Sequence, residues 1–192
     1  MPTRVLNVAE KPSVAREAAR ALSGGQASSR RVHDSTVWDF RYRARGGEMD
    51  MAFGAVAGHL MEIDFQEPFN RWNACDPEAL YSKPIVKSVP SNKQGLERML
   101  KQEARRAQRL ILWLDCDREG ENIAFEVLDV CLKSNPRLQV FRAQFSTLLP
   151  RDLAWAMDNL RKPNKLESDA VGSRQEIDLR AGASFTRFLT KG

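Results

Sequence analysis

The chain has 192 residues, enough for one domain and the start of a second, and its 42% apolar and 29% charged residues describe a globular protein with a substantial core. Thirty basic residues against 25 acidic ones leave a net charge of +5, which is compatible with a polyanionic partner but does not require one. Cys75, Cys116 and Cys131 are odd in number and form no C-x-x-C pair, which argues against a disulfide framework or zinc site, and no apolar run is long enough to span a membrane.

In chain order, Val5-Leu6-Asn7-Val8 reads as a short buried strand. Pro12 suits a first helical position, and Val14, Ala15, Ala18 and Leu22 recur at helical spacing until Gly24-Gly25 stops the helix. Residues 26–35 are polar, basic and loop-like. Two β-like segments, about 36–43 and 48–57, flank Gly46-Gly47 as a hairpin would. Residues 58–90 are rich in turn formers and carry no clear periodicity. Ser91-x-x-Gln94 resembles a capping box, and Leu96, Met99, Leu100, Ala104 and Ala107 then mark one helix face.

Leu110-Ile111-Leu112-Trp113-Leu114 is apolar on both faces, as a central parallel strand requires. The helix after it turns Ile123, Val127, Val130 and Cys131 inward and stops near Asn135-Pro136. Leu138 to Phe141 forms another strand, Pro150 to Leu160 a helix bounded by Pro163, and 167–190 a last helix with Ala170, Ile177, Ala181 and Phe188 in register. Strands alternating with helices give an α/β class, a Rossmann-like, mainly parallel sheet flanked by helices with an added β-hairpin.

The chemistry concentrates where the central strand ends, at Asp115-Cys116-Asp117-Arg118-Glu119. Asp115 and Asp117, two apart in extended backbone, point the same way, and Glu119 continues the series into the helix. Carboxylates so placed repel one another unless a cation sits among them, and oxygen-only ligands suit Mg²⁺. Open α/β sheets bind ligands at the carboxyl ends of their strands. The plainer reading is a solvated acidic turn with Arg118 as its counter-charge. Glu10-Lys11 also follows a short strand and opens a helix. If the two strands are neighbours, Glu10 joins the acidic cluster and suits general acid–base work. Lys11 beside a helix N-terminus favours a phosphate, although taken in isolation an ordinary capping pair at a helix start is the preferred reading.

Arg174, Arg180 and Arg187 in the last helix alternate with Glu176 and Asp178, which suits either a salt-bridged surface or a DNA contact. Arg41, Arg43 and Arg45 leave the same choice open. His33 and His59 have no metal-ligating neighbour at suitable spacing. The four tryptophans are read as core or interface residues.

Taken together, Val8-Ala9-Glu10-Lys11-Pro12-Ser13 and Leu114 through Ile123 (L-D-C-D-R-E-G-E-N-I) resemble the Toprim domain of type IA DNA topoisomerases, most closely the eukaryotic topoisomerase III group. Ala57-Gly58-His59-Leu60, Phe141-Arg142-Ala143-Gln144-Phe145-Ser146 and the stretch from Ser168 to Phe188 fit the same family in order, so the resemblance spans nearly the whole chain. Gly172-Ser173, Ala181 and Thr147-Leu148-Leu149 depart from its usual pattern, away from the acidic residues.

The resemblance implies a Toprim fold over 1–160, with 161–192 a linker and first helix of a following DNA-gate domain. It implies that Asp115, Asp117 and Glu119, with Glu10, hold Mg²⁺ (or Mn²⁺), that Glu10 moves a proton, and that Lys11 contacts the scissile phosphate. Arg142, Arg174, Arg180 and Arg187 would touch single-stranded DNA. Such enzymes cut one strand through a tyrosine, pass another and reseal. Neither Tyr42 nor Tyr81 lies in such a nucleophile motif, so the chain is expected to be part of a longer protein. The same likeness implies a RecQ-type helicase and an OB-fold accessory protein as partners, no membrane, and a nuclear place with a mitochondrial form possible. The rival expectations are another Toprim enzyme, a primase or nuclease, and a non-catalytic metal-dependent nucleic-acid-binding module.

Overall fold

A computed structural model describes residues 2–44 and 47–190. The chain runs β1 (Thr3–Ala9), α1 (Pro12–Leu22), β2 (Ser28–Val32), β3 (Ser35–Ala44), β4 (Gly47–Ala55), β5 (Glu62–Phe65), β6 (Ile85–Ser88), α2 (Gln94–Arg106), β7 (Arg109–Trp113), α3 (Arg118–Ser134), β8 (Gln139–Arg142), α4 (Pro150–Asp158) and α5 (Lys165–Thr190), with short 3-10 turns at Pro77–Ser82 and Ser91–Lys93. Six strands form one sheet in the order β2-β3-β4-β1-β7-β8. β1, β4, β7 and β8 are parallel, while β3 runs antiparallel to β4 and β2 to β3. The α/β class and mainly parallel sheet expected from the sequence are therefore present.

The two faces of the sheet are covered because the central strands are apolar on both sides. Leu6, Val8, Leu110 and Leu112 pack with Met99 and Leu100 of α2 and with Ile123 and Val127 of α3. The alternate residues Val5, Ala9, Ile111 and Trp113 meet Ala15 and Ala18 of α1 and Leu153 and Ala156 of α4. Asn7 is buried between the layers, and its side-chain oxygen accepts the Trp113 indole N–H at 2.9 Å.

Three local expectations change. The basic stretch 26–35 contains an edge strand, β2, whose Arg30 reaches Glu103 on α2 and Asp39 on β3. Its charge hid it from a reading based on apolar alternation, although charge is how edge strands avoid unwanted pairing. Residues 58–90 include a small antiparallel sheet, β5 with β6. The Ser91-x-x-Gln94 capping box does not form: Ser91 begins a 3-10 turn, and Lys93 caps α2 without a side-chain bond.

α5 forms as expected, and the periodic apolar residues read from the sequence point outward. Ala170, Ile177, Ala181 and Phe188 are exposed, whereas Ser168, Val171, Ser184 and Arg187 are buried. Hydrogen bonding decides this orientation: Arg180 donates to the carbonyls of Leu80 and Lys83, Ser184 to that of Pro77, and Arg187 to that of Phe69. These loop carbonyls would otherwise be covered without a donor. Gly46 of the expected hairpin turn and Arg45 of the basic stripe lie outside the described residues; β3 and β4 pair as expected on either side.

Candidate metal centre

Four parallel strands end at one edge of the sheet. From β1 the chain crosses to β4 on one side and later to β7 on the other, so the ends of β1 and β7 lie at a topological switch point. Ala9 is in register with both Ala55 and Trp113, which brings Glu10 out of the sheet between the β4 and β7 ends. The turn after β4 is fastened to it: Val56 N–H donates to the Ala9 carbonyl at 3.1 Å and Gly58 N–H to the Glu10 carbonyl at 3.2 Å. Lys11 begins α1 as an N-cap with no side-chain cap bond, and its ammonium lies 3.9 Å from Glu10.

The acidic loop between β7 and α3 is held by its backbone. Arg142, at the end of β8, is 1% exposed. Its guanidinium pairs with Glu121 at 2.8 Å and donates to the carbonyls of Leu112, Leu114, Ala143 and Asp115, the last at 2.6 Å. The planar fork of arginine suits this many converging acceptors. Asp117 caps α3 by accepting the Gly120 N–H at 2.7 Å, and the Cys116 thiol donates to the Phe145 carbonyl at 3.4 Å.

Gly120 is where α3 meets the loop backbone. A Cβ there would lie 2.0 Å from the Asp115 carbonyl oxygen, a backbone atom that Arg142 already fixes. Gly120→Ala is therefore expected to displace the loop and to cost about 1–3 kcal/mol, as overpacking does. Urea denaturation checks this, and a change below about 0.5 kcal/mol, the range of a neutral surface substitution, would show that the loop yields freely.

Glu119 stands between an arginine and a histidine. One oxygen meets Arg174 of α5, and the other lies 3.3 Å from His59 Nε2. The other imidazole nitrogen lies 3.2 Å from Glu126, a buried carboxylate that also accepts Leu60 N–H at 2.8 Å, Met61 N–H at 3.1 Å and the Lys87 ammonium at 2.9 Å. Burial alone would raise the Glu126 pKa, but hydrogen bonds from His59 and Lys87 outweigh it and hold the group below its ordinary value. The bond to Glu126 lifts the His59 imidazole above its ordinary value against the opposing effect of burial.

The structure thus brings Glu10, Asp115, Asp117 and Glu119 to one edge of the sheet, yet among the described residues no three His, Cys, Asp or Glu side chains are gathered around one point. Asp117 is turned to its cap, Glu119 to His59 and Arg174, and Glu10 to Lys11. Carboxylate donors of this kind suit a hard divalent cation that completes its shell with water and phosphate oxygens.

Of the four arginines expected at DNA, Arg142 is buried and committed to Glu121 and the loop carbonyls. Arg187 is also buried, and Arg180 is largely covered; both hold α5 to the loop carbonyls. Only Arg174 keeps an exposed guanidinium beside the acidic loop. Conversely, His59 and Glu121 had been quoted within family segments and given no role, and Glu126 had not been named. His59 follows a positive-φ pair, Ala57-Gly58, directly after a strand, and that conformational cue was the available signal.

Comparison with known proteins agrees with this geometry. Residues 5–148 match the family model described as Toprim domain. The chain is 51% identical over 99% of its length to DNA topoisomerase 3 of Dictyostelium discoideum, of which it covers 23%. It is 50% identical over 98% of its length to DNA topoisomerase 3-alpha of Arabidopsis thaliana, covering 21% of it, and 43% identical over 97% to DNA topoisomerase 3-alpha of Homo sapiens, covering 19%. The chain therefore spans about a fifth of the length of these relatives. In structure it is similar to full-length topoisomerase I from Thermotoga maritima, with a TM-score of 0.56 at 22% identity, over 91% of this chain and 24% of that one.

Proposed function

This chain belongs to the Toprim domain family, and from that premise we propose that it is the metal-binding part of a topoisomerase III-like, type IA enzyme that cuts, passes and reseals single DNA strands. The observation that carries the reading is the convergence of the Glu10 turn and the acidic loop at the switch point between β1 and β7. Asp115 and Asp117, with Glu119 and Glu10 beside them, would hold Mg²⁺, with Mn²⁺ as an alternative. When bound, the cation supplies electrostatic stabilisation to the phosphate under attack.

The protein's own groups supply the rest. Lys11, exposed next to Glu10, holds a phosphate oxygen and orients it. Glu10 gives a proton to the 3′-oxygen as the strand is cut and takes it back as the strand is resealed. Arg174 offers a positive charge at the rim of the acidic loop for the flanking strand.

The tyrosine nucleophile is assigned to another part of a longer protein. Tyr42 sits on β3, half-buried, with its phenol pushed up by burial and by the charge of Asp158, the opposite of what a nucleophile needs. Tyr81 lies in the Pro77–Ser82 turn. On this reading residues 1–160 form the catalytic domain and 161–192 lead into the next. The longer protein works in the nucleus, with a mitochondrial form possible, in DNA repair and recombination beside a RecQ-type helicase and an OB-fold protein. No helix among the described residues is long and apolar enough to cross a membrane.

The test is direct. The chain is expected to bind Mn²⁺ in calorimetry, and the double variant Asp115→Asn/Asp117→Asn is expected to lose that binding. Equal heats from both proteins would remove the acidic loop from metal binding.

A further inference from the structure

We propose that His59 is a positioning residue for the acidic site, setting where the Glu119 carboxylate stands relative to Asp115 and Asp117. The inference rests on the metal reading above and extends it to a group outside the carboxylate set. Glu119 is a flexible, partly exposed side chain, and an exposed ion pair such as the one with Arg174 holds it only weakly. His59 meets the other oxygen, and its ring is held by a second contact, Nδ1 facing Glu126.

Glu126 is itself fixed from three directions. Backbone N–H groups of Leu60 and Met61 meet one oxygen, and the Lys87 ammonium on β6 meets the other. The main chain of His59 is equally constrained. Its carbonyl accepts from Lys93, and the residues before it adopt positive φ, 58° at Ala57 and 81° at Gly58. Such backbone is retained where the surroundings over-determine it. Through Gly58 the same turn is bonded to the Glu10 carbonyl. His59 thus links the two halves of the site, one by its backbone and the other by its ring. The small β5–β6 sheet, which supplies Lys87, buttresses that link. Groups that orient metal-binding carboxylates from behind are worth about tenfold to a hundredfold in metal affinity.

The experiment is Mn²⁺ calorimetry on the chain and on His59→Ala, His59→Gln, Glu126→Gln and the double variant His59→Ala/Glu126→Gln, with a melting temperature taken for each. His59→Ala is expected to weaken Mn²⁺ binding by about tenfold to a hundredfold. Glu126→Gln should weaken it too, although Glu126 is buried away from solvent. The double variant should be no weaker than His59→Ala, because both changes break one link. His59→Gln keeps an N–H for Glu119 and should recover most of the loss. A merely structural role would instead lower the melting temperatures and leave Mn²⁺ affinity in place. Wild-type affinity in His59→Ala, or additive losses in the double variant, would overturn the proposal. Should His59→Ala not fold, unchanged affinity in Glu126→Gln would do the same. A wild-type chain that binds no Mn²⁺ would overturn the metal reading and this proposal together.

Discussion

Arg142→Met is expected to lower the stability of the domain by about 3–5 kcal/mol, the usual consequence of removing one member of a buried ion pair. The substitution keeps side-chain volume but leaves Glu121 enclosed without its guanidinium, and it strips a donor from the carbonyls of Leu112, Leu114, Ala143 and Asp115. Domains usually have about 5–15 kcal/mol in total, so the loss would be visible as a large fall in the urea midpoint. Arg142→Met/Glu121→Leu is expected to recover only part of it, since the loop carbonyls remain without a donor. Stability within about 1 kcal/mol of wild type in Arg142→Met would show that the clamp carries no weight. That result would return Arg142 to the DNA-contacting role its basic character suggests.

The second large effect belongs to chemistry. In a longer protein containing this chain and its tyrosine, Glu10→Ala is expected to slow both cleavage and resealing by about a hundredfold or more, the usual contribution of a positioned acid–base group. Both directions should suffer because the same carboxyl serves the 3′-oxygen each way. The turn itself should survive, because its bonds to Val56 and Gly58 come from the Ala9 and Glu10 backbones and not from the Glu10 side chain. Single-turnover cleavage and resealing of a labelled single strand would measure both steps. Rates equal to wild type would exclude Glu10 from proton transfer.

What the sequence revealed, and what it hid, follows from the range of the interactions. The strand at Leu110 to Trp113 and the helix after it announce themselves by local periodicity, and so does the position of Asp115 after that strand. The adjacency of β1 and β7 was legible only as a condition, because strand order is a property of the whole sheet. The buried place of Arg142 was hidden because an arginine near an acidic motif looks the same in sequence whether it faces solvent or the underside of a loop. The orientation of the last helix was hidden for a related reason. Its apolar stripe is regular, but Arg180, Ser184 and Arg187 have carbonyl acceptors about a hundred residues away in sequence, and no local pattern reports those. Glu126 occupies a buried place on α3 through partners on β6 and the His59 turn, which is again long-range information.

The way the acidic loop is anchored also bears on the entropy of ligand capture. Arg142 and the close approach of Gly120 immobilise the main chain of the loop, while Asp115 stays exposed at its crest. Ordering a free backbone costs about 1–2 kcal/mol per residue, whereas stilling one side chain costs about 0.5–1.5 kcal/mol. A ligand arriving at this edge therefore meets a frame whose larger ordering cost was met during folding, and only side-chain rotations remain to be frozen.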